Sequence, residues 1–165
     1  MAQVGSRAVN KFLGILKSDS NGLAMGLANV SLAAQVDLPS LGDRQVIAQN
    51  IAYELQEKTT GAQYPAYHIY CEKLSNTLIE KFRVFSGTAR MVTEVRVSQD
   101  RLDEIETKLQ QYVDGVIGVL DTNRGDWGGG MFYSGGYEVV FQPVKHGGKN
   151  FIQTARVTFE VNMSL

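Results

Sequence analysis

The chain has 165 residues, with 16 basic and 17 acidic side chains and a formal net charge of −1. This length suits one domain that buries its own core, and the balanced charge disfavours a protein that binds nucleic acid over its whole surface. The single cysteine, Cys71, excludes an intrachain disulfide and is typical of a reducing compartment.

Residues 1–42 are predicted to form a short helix followed by an extended arm. Ser6 is the expected helix cap, and the apolar positions keep helical spacing: Val9, Phe12, Leu13 and Leu16. Residues 23–42 are small, weakly apolar and lightly charged, which predicts an arm rather than a core element. No apolar run is long enough for a signal peptide or a membrane span, so we expect synthesis in the cytoplasm.

Residues 43–165 are predicted to form an α+β core. Ile47, Ile51 and Leu55 are four residues apart, which predicts a second helix over 43–58. A first strand is expected over 66–72, after Pro65. A second strand region follows over 80–98, with a bulge or turn at Ser86-Gly87.

The clearest helical pattern covers residues 100–121, with Asp100 as the expected cap. Its apolar stripe is continuous: Leu102, Ile105, Leu109, Tyr112, Val113, Val116, Ile117 and Leu120. Two further strands are expected, over 137–144 and 151–163, and the last alternates strictly between apolar and polar side chains.

This order of elements predicts an α+β fold in a single domain. Short turns between neighbouring strands favour an antiparallel sheet. The long amphipathic helix is expected to cover one face of that sheet, with the N-terminal helices beside it.

The segment NRGDWGGGMFYSGGYEVVF, residues 123–141, holds six glycines around Trp127. We expect a loop that becomes ordered when it meets a partner, because ordering such a segment costs much conformational entropy and aromatic side chains dominate interface energies. The alternative is a segment packed on its own domain. The candidate interface residues are Arg124, Asp126, Trp127, Met131, Phe132 and Tyr133, with Leu23, Met25, Leu27, Val30 and Leu32 from the arm.

No motif predicts catalysis, a cofactor or a metal site. Gly148-Lys149 lacks the glycine spacing and the following Ser or Thr of a phosphate loop. His68 and Cys71 are three apart on a predicted strand, so their side chains point to opposite faces. There is no Gly-x-Ser-x-Gly elbow. We therefore expect no catalytic, metal-binding or cofactor-binding residues.

Lys81-Phe82-Arg83-Val84-Phe85 offers a second class of function. Cations beside aromatics along residues 81–96 are compatible with a small module that binds single-stranded nucleic acid by stacking its bases on the aromatic side chains. The other interpretation is a plain strand with Phe82 and Val84 buried and the cations outside. The balanced charge favours the plain strand.

Five stretches together resemble the tail terminator and neck proteins of tailed bacteriophages: YPAYHIYCEK, EKFRVFSG, SQDRLDEIETKLQQYV, RGDWGGG and PVKHGGKNFIQTARVTFEV. The resemblance covers roughly residues 43–163. It implies a hexameric ring at the head-proximal end of the tail tube, which stops tube polymerisation and joins the tube to the head-side neck. Another neck or head-completion connector protein is the alternative.

The resemblance also implies partners and a location. The partners would be copies of the chain itself, the tail tube protein, the head-side connector and, in a contractile tail, the sheath. DNA would pass through the lumen without sequence-specific contact, and no membrane would be involved. The protein would be made in the host bacterial cytoplasm, would end in the virion and would not be an enzyme.

Overall fold

The computed structural model describes residues 3–58 and 62–165. Its helices are α1 (Val4–Leu16), α2 (Leu23–Ala34), α3 (Tyr53–Lys58) and α4 (Ile105–Thr122), with a 3-10 turn at Asp43–Gln45. Its strands are β1 (Val46–Ala48), β2 (Ala66–Asn76), β3 (Ser86–Gln99), β4 (Gly125–Gly128), β5 (Met131–Tyr133), β6 (Tyr137–Phe141), β7 (Lys145–Gly147) and β8 (Asn150–Ser164).

The eight strands form one sheet that curls into a half-barrel. Its order is β1-β2-β3-β8-β5-β4, and β6 and β7 also pair with β8. The long strands β2, β3 and β8 are antiparallel, whereas β1 joins β2 in parallel. The predicted α+β single domain is confirmed, although the sheet is mixed rather than purely antiparallel.

Helices α1 and α4 cover one face of this sheet, and α2 lies against α4. The long helix therefore covers the sheet as predicted. Residues that alternate along β8 point into the core, as their pattern indicated. The core is built from both layers, including Phe12, Leu16, Leu109, Val113, Val116, Met91, Val95, Val157, Phe159 and Val161.

The predicted extended arm is wrong, because residues 23–34 form helix α2. Its small residues allow a close approach to α4: a Cβ atom added at Gly26 would lie 2.5 Å from the carbonyl oxygen of Gly115. Leu23 and Leu27 are buried in that contact. The small residues of this segment therefore indicate tight packing of α2 against α4, not a poorly packed arm.

Three helix boundaries also differ from the predictions. Helix α1 begins at Val4, with Gln3 at its N-cap, so Ser6 lies within the first turn. Helix α4 begins at Ile105, so Asp100 is not its cap and Leu102 is exposed before it. The predicted helix over 43–58 is reduced to α3, because Ile47 belongs to strand β1.

Ser86-Gly87 starts strand β3 and is not the bulge or turn predicted inside a strand. Gly87 faces Asn76 across the β2–β3 pair. A Cβ atom at Gly87 would lie 1.8 Å from the carbonyl oxygen of Ser75. The glycine therefore permits the two strands to remain paired to their ends.

The second face of the sheet is partly covered by the segment that contains α3. The Arg96 side chain is buried on this face, where it forms an ion pair with Glu94 at 2.8 Å. Its Nη1 atom donates to Oε1 of Gln56 at 2.7 Å, and its Nη2 atom donates to the carbonyl of Ile51. One buried cation thus holds a short helix on the sheet.

His68 gives the fold an expected pH dependence. It is fully buried on the same face as Arg96, and burial, with the charge of Arg96, lowers its pKa from 6.5 to about 4. Between pH 6.5 and 4 the unfolded chain therefore binds a proton that the folded chain does not bind. We expect the free energy of unfolding to fall by roughly 3 kcal/mol as the pH is lowered from 6.5 to 4, since each unit of pKa difference is worth about 1.4 kcal/mol.

Urea unfolding at a series of pH values measures this loss. The matched control is His68→Gln, which removes the titrating ring and should flatten the curve between pH 6.5 and 4. An unchanged slope in the variant would assign the acid sensitivity to other groups.

Candidate assembly interface

The glycine-rich segment forms a hairpin, β4–β5, that packs on the core of its own domain. Trp127 is only 7% exposed and stacks on Phe12, with ring centroids 5.7 Å apart and planes 11° apart. Its Nε1 atom donates to the carbonyl of Asn123 at 2.7 Å. Tyr133 is fully buried, and Met131 is nearly so. These three candidate interface residues belong to the core of their own domain, which contradicts their prediction as interface residues.

The glycines shape the turn of this hairpin. Gly128, Gly129 and Gly130 all have positive φ angles, between 63° and 78°, a region that side chains with a Cβ atom rarely adopt. A Cβ atom at Gly130 would also lie 2.1 Å from the carbonyl oxygen of Ser164. The alternative interpretation, a segment packed on its own domain, is the one that the structure supports.

Three candidates from the same segment are exposed. Arg124 forms an ion pair with Asp121 at 2.7 Å, and the Asp126 carboxylate accepts a hydrogen bond from the backbone N–H of Gly128 at 2.7 Å. Both are therefore engaged locally. Phe132 is 49% exposed on β5 and is the one aromatic candidate of the segment that remains available to a partner.

The candidates on α2 divide between the two faces of the helix. Leu23 and Leu27 are buried against α4, whereas Met25 and Leu32 are exposed and Val30 is half-buried. Met25 and Val30 line a groove between the two helices with a volume of about 460 Å³. We call this the helix groove; it is lined by residues 20–22, Met25, Gly26, Asn29, Val30, Ala33, Asp114, Gly118, Val119 and Thr122.

Several exposed apolar side chains lie together in one loop, part of which was predicted as strand. We call residues 77–84, between β2 and β3, the tip loop. Four of its large apolar side chains are exposed: Leu78, Ile79, Phe82 and Val84, with Phe82 at 104%. The prediction of a plain strand with Phe82 and Val84 buried is therefore wrong, because both side chains are exposed and residues 77–84 lie outside the strands. The nucleic-acid alternative stays a prediction.

Hydrogen bonds fix the base of the tip loop. The Asn76 carboxamide oxygen accepts from the backbone N–H groups of Leu78 and Ser86, at 3.2 and 3.1 Å. The N–H of Val84 donates to the carbonyl of Leu165 at 2.7 Å, and Phe85 is buried. The exposed side chains are thus carried on a loop with defined ends.

The cations of residues 81–96 do not form an open basic surface. Each arginine of this region has a carboxylate partner: Arg83 with Glu80 at 3.3 Å, Arg90 with Glu72 at 3.3 Å and Arg96 with Glu94 at 2.8 Å. Phosphate binding through these residues would have to break ion pairs. The arrangement weighs against the nucleic-acid module.

Within residues 3–58 and 62–165, no group of three or more His, Cys, Asp or Glu side chains is placed to hold a metal ion. The Cys71 sulfur donates to the carbonyl of Lys73 and lies on the helix-covered face, opposite to His68. The expectation that the protein is not an enzyme stays a prediction.

Among the described helices, none combines the length and the apolar composition needed to cross a membrane. No protein-family model matches the chain, and no curated protein matches its sequence. The resemblance to phage tail terminators and neck proteins therefore stays a prediction as well.

Proposed function

We propose that the protein is a structural component of a phage virion, a tail terminator that forms a ring at the head-proximal end of the tail tube. The observation that carries the proposal is the tip loop, which exposes Leu78, Ile79, Phe82 and Val84 together. Contiguous exposed apolar side chains of this kind mark surfaces that bind other proteins.

A terminator must contact its own copies, the tube below it and the head-side connector above it, so it needs more than one contact surface. The tip loop lies at one end of the sheet, whereas the helix groove lies on the helix layer. Exposed Phe132 lies beside the tip loop, because Phe132 and Ile79 of that loop line the same shallow groove. These separate surfaces suit a part that joins several proteins.

The role requires binding rather than chemistry. In the terminator, the ring blocks addition of further tube subunits by covering their docking surface, and DNA passes through its lumen without base-specific contact. A sheath is a further partner if the tail is contractile. A connector elsewhere in the neck would use the same surfaces. The test must therefore show whether the protein acts at the end of the tail or on the head side of the neck.

Deleting the gene from the phage that carries it tests the proposal. We expect electron microscopy of the lysate to show DNA-filled heads beside detached tails of uncontrolled length. Normal-length tails beside heads that leak DNA would assign the protein to the head side of the neck. Intact infectious particles would overturn an assembly role. Expression of the wild-type gene from a plasmid, which should restore complete particles, is the control.

A further inference from the structure

Phe82 has two unfavourable features in the isolated chain. Its ring is fully exposed, and its backbone has a φ of 75°, in the left-handed region that residues with a Cβ atom rarely adopt. Leu78, at the other side of the same loop, also has a positive φ, of 48°. Local strain of this kind is concentrated at functional sites, including the surfaces that bind a partner.

The helix groove is a surface of the right shape and chemistry. Its walls are mainly small or apolar, and Asp114 is the one charged residue among those that line it. Burial raises the pKa of Asp114. Within the described part of the chain the Asp114 carboxylate has neither an ion pair nor a hydrogen bond.

The tip loop carries the complementary charge. Lys81, next to Phe82, has no ion-pair partner in the described residues, whereas the neighbouring Arg83 and Glu80 neutralise each other. The tip therefore presents one aromatic ring and one net positive charge. The groove offers apolar walls and one net negative charge.

We propose that the tip loop of one copy docks into the helix groove of a second copy, with Phe82 between α2 and α4 and Lys81 beside Asp114. The contact joins two different surfaces, so it is head-to-tail and leaves a free tip and a free groove at its two ends. Repetition of such a contact gives a closed ring when the rotation between copies closes. The inference rests on the proposed function in one respect: a ring of identical copies requires a contact between one copy and the next.

Disulfide trapping tests the contact directly. In a Cys71→Ser background, we would combine Val84→Cys, which is exposed in the tip loop and leaves the charges of the loop unchanged, with Asn29→Cys, in the groove. Under oxidising conditions at high protein concentration, a non-reducing gel should show a ladder of linked copies. A mixture of the two single variants should stop at heterodimers. The matched control, Val84→Cys with Lys149→Cys in the exposed turn before β8, should give no ladder.

Charge reversal in the same disulfide background supplies a second readout. Lys81→Asp alone, or Asp114→Lys alone, should slow ladder formation at least about tenfold, because like charges would meet at the contact. The double reversal should restore the rate. Phe82→Asn should slow it about thirtyfold without loss of thermal stability, since asparagine tolerates a left-handed backbone.

The outcomes separate the contact from the function. A ladder that depends on the charge pair supports the contact, even if deletion of the gene leaves phage intact and so removes the tail role. No ladder, or a ladder equal to that of the control, overturns the contact. If no ladder forms but deletion of the gene still leaves detached tails, the tail role stands. The tip loop would then dock on the tube protein or the connector instead of on a second copy.

Discussion

Replacing Trp127 with alanine is expected to lower the free energy of unfolding by about 3–5 kcal/mol, because it empties a buried site between two layers of the fold. The indole ring stacks on Phe12 of α1 and meets Phe159 of β8 edge-on, with centroids 6.2 Å apart. Its hydrogen bond to Asn123 is lost as well. In a chain of this length the unfolding temperature should fall by roughly 10 °C, which differential scanning calorimetry measures.

Phe132→Ser is the matched control for this substitution. Phe132 lies in the same hairpin but half exposed, so the change in stability should stay within about 0.5 kcal/mol. Equal stability of the Trp127→Ala variant and the wild type, together with failed assembly, would return Trp127 to the interface.

The long elements of this fold were predictable from the sequence, because their side-chain periods are dictated by the core they face. The strict alternation of residues 151–163 matches β8, and the apolar stripe from Ile105 to Leu120 matches α4. Helix ends were less predictable, because the expected caps Ser6 and Asp100 make no capping contacts there.

The sequence predicts a loop at the glycine-rich segment, whereas the structure has a packed hairpin. Composition does not distinguish a mobile loop from a tight turn. Glycine is needed at both, for flexibility in one case and for positive φ angles in the other. The signal that favours the tight turn is the spacing of the large apolar side chains: Trp127, Met131 and Tyr133 are all buried and lie on two short paired strands.

The tip loop was missed for a related reason. Lys81 to Phe85 alternates as a strand would, yet pairing of β2 with β3 ends at Asn76 and Gly87. The residues between them must therefore turn. Phe85 enters the core, whereas Leu78, Ile79, Phe82 and Val84 stay exposed. Periodicity indicates which face of an element is apolar, but it does not indicate that an apolar side chain remains exposed in the folded chain.

The largest contrast between neighbouring substitutions is expected at the α2–α4 contact. Gly26→Ala should cost about 2–3 kcal/mol, because its Cβ atom would lie 2.5 Å from the Gly115 carbonyl oxygen, a backbone atom that cannot move aside without separating the helices. Separation would also expose Leu23 and Leu27, which are buried there. Urea unfolding curves of the variant and the wild type measure the difference.

Gly118→Ala tests whether that cost comes from the close approach rather than from glycine itself. The nearest atom to a Cβ at Gly118 is the Gly26 Cα at 3.9 Å, an ordinary contact. Alanine should therefore stabilise α4 by up to about 1 kcal/mol through its higher helix propensity. Opposite signs for the two substitutions would show that small residues hold α2 against α4 by letting the backbones meet. Equal losses would mean that glycine is needed at both positions for another reason. No loss for Gly26→Ala would contradict the close approach of the two helices and would be the result expected of an unpacked arm.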